Sequence, residues 1–506
     1  MVGFNRNIIR TLLIASYIMV IAFIIGGISA LFSYLNTGAD RSTMLHTEIK
    51  KEIQHVPKIT WAPLANEGRE MDAENLKNLQ RDYLNALYVK NIAYKTNTST
   101  GIEDYYTENA RKNIYDIISI NKNQQTSIDG TTLAHHPNLE FFSEDGQLVV
   151  LTDKDVIEYK RILKDDKLVI ETTEKSTYKT VFLLEDGFWR IRHTVKEKSE
   201  PFIPKNKLVT TDSTFIKGIN YYPQNTPWDM FGDKFNKDTI SHDFNIIKES
   251  GLNTVRIFIQ YEDFGKAKVK KEKLQKLQQT LDIALENDIK VIITLFDFYG
   301  DYAVLDWTLT QRHAETIVNA VKDHEALLGW DIKNEPNLDF ESRGKALVIS
   351  WLDHMIHLVK ATDPIHPVTI GWSDTQSAPI LKNKVDMVSF HYYEDLDNLN
   401  TAIETLRKEI PNKPLVMQEF GISSYNGFWK PYGSSEEDQA NYHKEAQKII
   451  KANDLQFMSW TLYDFEKIPK SVVGSIPWRK QPQKKFGFID NKGVKKPAFE
   501  YITTKE

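Results

Sequence analysis

None of the 506 residues is cysteine, which excludes disulfides, thiolate metal ligands and a cysteine nucleophile together. A surplus of basic charge is also missing: 64 Lys and Arg stand against 69 Asp and Glu, for a formal net charge of -5. A phosphate-backbone partner calls for such a surplus, so no nucleic acid is expected as a ligand. Neither GxGxxG nor GxxxxGK[ST] occurs, so the common glycine-rich phosphate cradles are absent. Glycine and proline number only 23 and 18 beside 41% hydrophobic residues, a folded globular composition and not a collagen-like or disordered one. The length predicts two to four folding units.

Charge is missing altogether between Arg10 and Asp40, and Thr11 to Tyr34 is apolar on every face. A helix over residues 11–34 would be roughly 36 Å long, enough to cross a hydrocarbon core of about 30 Å. A cleaved signal peptide has a shorter apolar region and a small-residue cleavage site. Residues 1–36 are therefore expected to be a tail and an uncleaved transmembrane helix in the lipid bilayer. Arg6 and Arg10 are balanced by Arg41, Lys50 and Lys51, so charge does not fix the orientation. The short tail and long following chain suggest a single-pass cell-membrane protein with its catalytic part outside the cytoplasm.

Residues 37–69, with Pro57 and Pro63, read as a stalk with little regular structure. Residues 70–200 open with two amphipathic helical patterns, Met71 to Tyr94 and Tyr106 to Ile117, and continue in β-like runs separated by turns such as Glu185-Asp186-Gly187. That order predicts an α+β unit with a curved sheet on its helices, and it loosely resembles the cone-shaped NTF2-like fold. The unit is a possible docking place for a protein partner. His135-His136 lacks ligand spacing and reads as a surface pair in a loop. Ser199 to Lys205, with Pro201 and Pro204, reads as an extended linker before the next unit.

Residues 206–506 alternate eight strand-like runs with helical patterns, beginning with FIKGINYY at Phe215 and ending with FMSWTLYDF at Phe457. The fold class is therefore α/β: eight such repeats predict a (β/α)8 barrel, whose active site sits at the strand C-terminal ends. The fourth run ends in Asn334-Glu335-Pro336 and the seventh in Gln418-Glu419-Phe420-Gly421, placing two carboxylates at the barrel mouth. Two carboxylates about 5 to 5.5 Å apart can cleave a glycosidic bond by double displacement, one as nucleophile and one as acid and then base. Arg256, on the second run, is placed to keep the nucleophile ionised.

From about residue 210 to 502 the chain closely resembles the retaining glycoside hydrolases that include family-five cellulases, β-mannanases and exo-β-glucanases. The matches are KGINYY at Lys217, Arg256, WDIKNEP at Trp330, FHYY at Phe390, MQEFG at Met417, Trp460 and FGFIDNKGVKKPA at Phe486. The resemblance implies Glu335 as general acid/base, Glu419 as nucleophile, and Asn334 as hydrogen-bonding partner of the sugar 2-hydroxyl. It further implies His391 and Tyr392 or Tyr393 lining the centre and Trp460 as platform under the sugar. No metal-ligand constellation is visible in the sequence, so neither a metal nor another cofactor is expected. On the third strand the family often shows a histidine, whereas this chain reads Thr294-Leu295-Phe296-Asp297-Phe298.

Trp228, Trp307, Trp372, Trp429 and Trp478 could stack on sugars or fill cores, and about half are expected at substrate. The sequence reading is a membrane-anchored retaining β-glycosidase of a β-glucan or β-mannan type polysaccharide. The alternatives are a transglycosylase that remodels an exported glycan, a non-catalytic glycan-binding component, and a scaffold for the 70–200 unit.

Overall fold

A computed structural model describes residues 14–28, 55–203, 214–474 and 476–503. Residues 14–28 form helix α1, every residue of it exposed. At about 1.5 Å per residue its described part is roughly 22 Å long, and no helix among the described residues is long and apolar enough to cross a membrane. The expected 11–34 span extends at both ends beyond the described residues. So do residues 37–54 of the expected stalk and 204–213, which include the end of the expected linker.

The described rest of the stalk, 55–69, has little regular structure, with four residues in two short strands, but it is not detached. His55 is buried, and β1 (Lys58–Ile59) and β2 (Glu67–Gly68) each pair in parallel with the first long strand of the following unit. That unit begins with α2 (Ala73–Thr96), whose N-cap Asp72 accepts hydrogen bonds from the Glu74 and Asn75 amides. Helices α3 (Ile102–Tyr105) and α4 (Glu108–Asn123) follow. Four long antiparallel strands then form a meander: β3 (Thr126–Phe142), β4 (Leu148–Lys164), β5 (Lys167–Glu185) and β6 (Phe188–Pro201). Runs that read as separate short strands in the sequence are continuous here. Register shifts, such as that between Asp153 and Val156, absorb the breaks in alternation as bulges. Leu79, Tyr83, Phe182 and Trp189 are at the centre of the core between α2 and the sheet.

Two expectations are corrected in this unit. His135 and His136 are not a surface pair in a loop: they sit within β3, with His135 fully buried and His136 half-buried. Ser199 to Pro201 is strand and not linker, and Pro201 is tolerated because β6 is the edge of the sheet.

The eight runs of the C-terminal part close into a parallel barrel: β7 (Lys217–Asn220), β8 (Thr254–Gln260), β9 (Lys290–Asp297), β10 (Leu327–Asn334), β11 (Val368–Trp372), β12 (Val388–Tyr392), β13 (Leu415–Phe420) and β14 (Gln456–Ser459). Val- and Ile-rich strands covered on both faces suit this architecture. The outer layer includes α5 (Lys237–Glu249), α6 (Lys271–Glu286), α7 (Trp307–Val321), α9 (Lys345–Thr362), α10 (Leu399–Glu409) and α11 (Glu436–Ala452). The short helices α8 (Phe340–Arg343), α12 (Lys470–Val473) and α13 (Pro477–Gln483) contribute to the rim of the mouth.

The α+β unit packs on the flank of the barrel. Trp307, at the start of α7, stacks on Tyr159 of β4 at 4.2 Å. The Val56 amide donates to Thr308 Oγ1 at 3.1 Å and its carbonyl accepts from Arg312 Nε at 2.8 Å. Trp307 therefore fills the seam between the two units and does not face a sugar.

Candidate active site

The centre of the barrel is organised by one guanidinium. Arg256 on β8 is completely buried, so each of its donors requires an acceptor. Nη2 reaches Asp331 Oδ2 at 2.6 Å and Asn334 Oδ1 at 2.8 Å; Nη1 reaches Asn220 Oδ1 at 3.0 Å and Glu419 Oε2 at 3.4 Å; Nε donates to Thr294 Oγ1 at 3.0 Å. The charged plane also lies 4.6 Å from the Phe258 ring centre. Gly371 on β11 makes room for it, since a Cβ there would stand 2.7 Å from Arg256 Nη2 and 2.7 Å from Gln418 Oε1.

Glu335 follows β10 in the left-handed region, at φ 49° and ψ 49°, a conformation that costs a non-glycine residue about 1 kcal/mol or more. Pro336 disfavours the right-handed alternative, and the Glu335 amide donates to the Gly371 carbonyl at 2.7 Å. The carboxyl is thereby directed into the mouth, where Oε1 lies 3.0 Å from His391 Nδ1. Glu419 on β13 accepts from the Tyr393 hydroxyl at 2.6 Å as well as from Arg256, and its Oε2 is 3.8 Å from the same His391 nitrogen. One oxygen each of Glu335 and Glu419 and one His391 nitrogen lie within 4.8 Å of one another. This trio has the ligand types and spacing to hold a metal ion, but a histidine between two carboxylates is equally a proton-sharing arrangement.

Burial pushes the Glu419 carboxyl up, and the charge of Glu335 adds to that, while His391, Arg256 and Tyr393 oppose it; the net direction is upward. Burial also pushes Glu335 up, but the hydrogen bond and charge of His391, with Arg256 and Lys333, more than offset it and leave that carboxyl below its usual range. Burial beside Glu419 holds the Tyr393 phenol well above its ordinary value.

Above these groups is a cleft of about 790 Å³. Asn334, Glu335, Tyr393, Glu419 and Trp460 line it. His391 lies directly beneath, 1% exposed. Tyr392 is not brought to the cleft: neighbouring strand residues face opposite ways, and its hydroxyl donates to the Asp395 carbonyl at 2.6 Å. Of the five ambiguous tryptophans, Trp228 lines the cleft beside Trp460, with ring centres 6.0 Å apart. Trp372 is buried against Phe340, and Trp429 and Trp478 form an exposed pair 6.5 Å apart.

Chain residues 213–466, half of the sequence, match the model of the cellulase family, glycosyl hydrolase family 5. The chain belongs to glycosyl hydrolase family 5. Among curated proteins it is 23% identical over 286 residues to β-glucuronidase of Chlorocebus aethiops, covering 53% of this chain and 41% of that protein. It is 26% identical over 224 residues to the putative mannan endo-1,4-β-mannosidase 4 of Arabidopsis thaliana, covering 35% of this chain and 51% of that protein. The chain thus spans about half or less of these relatives' length. Among solved structures, an exo-β-1,4-mannosidase from Opitutaceae bacterium strain TAV5 aligns with a TM-score of 0.49 at 18% identity, covering 60% of this chain and 61% of that one.

Sequence reasoning missed several groups of this family-five site. Asp331 and Lys333 stand two apart on β10, so strand alternation would have put both on the inner face; Asp331 anchors Arg256, and Lys333 pairs with Asp339 at 3.3 Å. Asp297, at the strand-three position that the family resemblance left open, lines the cleft and accepts from the Tyr222 hydroxyl at 3.3 Å. Asn220, inside the KGINYY run, gives Arg256 an acceptor and donates to the Gln418 and Ser459 carbonyls at 2.9 and 3.1 Å, but no spacing rule marked it.

Proposed function

We propose that this glycoside hydrolase is a retaining β-glycosidase acting on a β-linked glucan or mannan polysaccharide. The observation that carries the reading is the separation of Glu335 and Glu419, with oxygens within 4.8 Å. An inverting enzyme needs about 6.5 to 9.5 Å to admit water between its carboxylates, whereas a carboxylate attacking the sugar directly needs about 5 Å.

In the reaction Glu419 attacks the anomeric carbon while Glu335 protonates the departing glycosidic oxygen. The products of this step are a glycosyl ester on Glu419 and a free alcohol. Glu335, now a carboxylate, takes a proton from water as that water opens the ester, which returns both groups to their starting states. Arg256 and Tyr393 both donate to Glu419 and stabilise it as an anion. In the free site the directions of titration favour the proton on Glu419, and the first step requires it on Glu335. A bound sugar supplies that reversal. The Glu335 side chain is 27% exposed and that of Glu419 only 11%, so covering the cleft desolvates mainly Glu335 and raises its proton affinity. Trp460 and Trp228 offer ring faces to the sugar.

The same reading tethers the chain to the cell membrane through residues 11–34, with the barrel outside the cytoplasm and the α+β unit, NTF2-like in element order, available to a protein partner. The 24-residue apolar stretch supports the tether. The test is product release by the full chain from a panel of β-1,3-, β-1,4- and mixed-linkage glucans and mannans, beside Glu419→Gln. Release that depends on Glu419 supports the reading, and equal release by Glu419→Gln rejects it. For the tether, retention in the membrane fraction after alkaline extraction is expected, and quantitative release contradicts it.

A further inference from the structure

A second cavity, of about 330 Å³, lies inside the α+β unit between α2, α4 and the concave face of β3 to β6. It is far from the chemistry of the barrel mouth and shares no lining residue with the cleft. Its floor is apolar, with Ile114, Val156 and Ile191 almost completely buried. The aromatic Tyr106 closes one side, its own hydroxyl committed to the Ala86 carbonyl at 2.9 Å.

The polar groups around this floor are not equally satisfied. Glu158 is paired with Lys160 at 2.6 Å and accepts from the Tyr178 hydroxyl, and Lys196 is paired with Glu174 at 2.6 Å. Thr131 and Lys90 are among the lining groups without such partners. Thr131 is 2% exposed, and its hydroxyl has no hydrogen-bond partner among the described residues. Lys90 projects from α2 into the cavity and makes no ion pair or hydrogen bond with another described residue. Burial pushes its amine below the ordinary lysine range, and the charge of Glu158 only partly opposes that. Burying a hydroxyl, and partly burying an ammonium, without partners is unfavourable. Both costs are relieved by one ligand, an acceptor-rich anion held above an apolar floor.

We propose that this cavity is a binding site for a small amphipathic acid, with an apolar or aromatic body seated on Ile114, Val156 and Ile191 and an anionic head on Lys90 and Thr131. The head is a carboxylate or a phosphate, since a lysine recognises either as a point charge. The cavity holds one ring or a short alkyl chain, within the size range of small-molecule sites.

The experiment is calorimetric titration of the full chain with benzoate and with phenyl phosphate, which distinguish the two heads. Benzyl alcohol lacks the charge, and inorganic phosphate lacks the body. Binding of at least one aromatic acid is expected, with neither control binding at the same concentration. Lys90→Met is expected to weaken that binding by about 10-fold or more, as loss of a hydrogen bond to a charged group does, and Thr131→Val by a smaller factor. Loss in Lys90→Met also assigns the heat to this cavity, because Lys90 is remote from the cleft. Should Lys90→Met fold poorly, Thr131→Val and the two controls decide. The proposal is overturned if neither acid binds at millimolar concentration, if benzyl alcohol or inorganic phosphate binds as well as the acids, or if both variants bind undiminished.

Discussion

Each half of the molecule buries a histidine against carboxylate, and the two differ in what is left unsatisfied. In the α+β unit His135 Nδ1 lies 2.7 Å from Asp153 Oδ2 and Nε2 lies 2.9 Å from Thr132 Oγ1, while Asp153 also accepts from Tyr83 and from the His136 amide. Both ring nitrogens of His135 are used, and the contacts run on through Thr132 Oγ1 to His55 Nε2 at 3.1 Å, where His55 Nδ1 is left without a partner among the described residues. In the barrel His391 shares one nitrogen between two carboxylates, its Nε2 has no partner among the described residues, and both acids reach a cleft of about 790 Å³. A histidine beside an acid is thus not in itself a reactive site. Chemistry needs charge that the fold holds in place without fully neutralising it, next to space for a substrate.

The sharpest way to break this comparison is to neutralise the barrel acids. Glu419→Gln and Glu335→Gln should each lower kcat/KM by about 10³-fold or more. On an aryl glycoside whose leaving group needs no proton, Glu335→Gln should recover and Glu419→Gln should not; equal recovery would mean that the roles are wrongly divided. Arg256→Met removes the guanidinium that Asp331 and Glu419 both face. It should cost about 3 to 5 kcal/mol of stability and most of the activity, measured by denaturant titration beside kinetics.

Tyr393→Phe should be milder, about 10-fold in kcat. The Tyr393 hydrogen bond lowers the proton affinity of Glu419, so its loss raises the Glu419 pKa further. The acid limb of the kcat/KM profile should then move to higher pH, and an unmoved limb would refute the contact. In the other half, Asp153→Ala should lower stability by about 2 to 4 kcal/mol while leaving kcat/KM per folded molecule unchanged. A selective loss of kcat would show that the His135 network is not merely structural.

The smallest expected effect is at the seam. Burial, reinforced by Asp301, raises the Asp306 carboxyl from 3.8 to about 6. The folded state therefore holds that proton more tightly than the unfolded one, so stability falls as pH rises from about 4 to about 6. Asp306→Asn should raise Tm by about 2 °C at neutral pH and by nothing near pH 4, read by scanning calorimetry.

What the sequence made legible follows from periodicity. The eight barrel strands were readable because each is a short apolar run bounded by helix patterns, and Glu335 and Glu419 because they stand where such runs end. The α+β unit was less legible in detail: bulges interrupt the alternation of β3, β4 and β5, so continuous strands read as fragments and a buried histidine as a loop residue. Pairing across strands is invisible to local pattern, which is why β1 looked like stalk and Asp331 was passed over although its motif was noted. Trp307 and Trp460 are both mostly buried aromatics on the barrel, and only tertiary packing separates a residue of the seam from one that lines the cleft.

The central claim is that Glu419 becomes covalently attached to the sugar. The full chain should be incubated with 2-deoxy-2-fluoro-β-glucosyl and β-mannosyl fluorides, then digested and mapped by mass spectrometry. A single glycosyl adduct on Glu419, formed with release of fluoride, is expected. An adduct on Glu335, or turnover that releases the inverted anomer without any adduct, would contradict it.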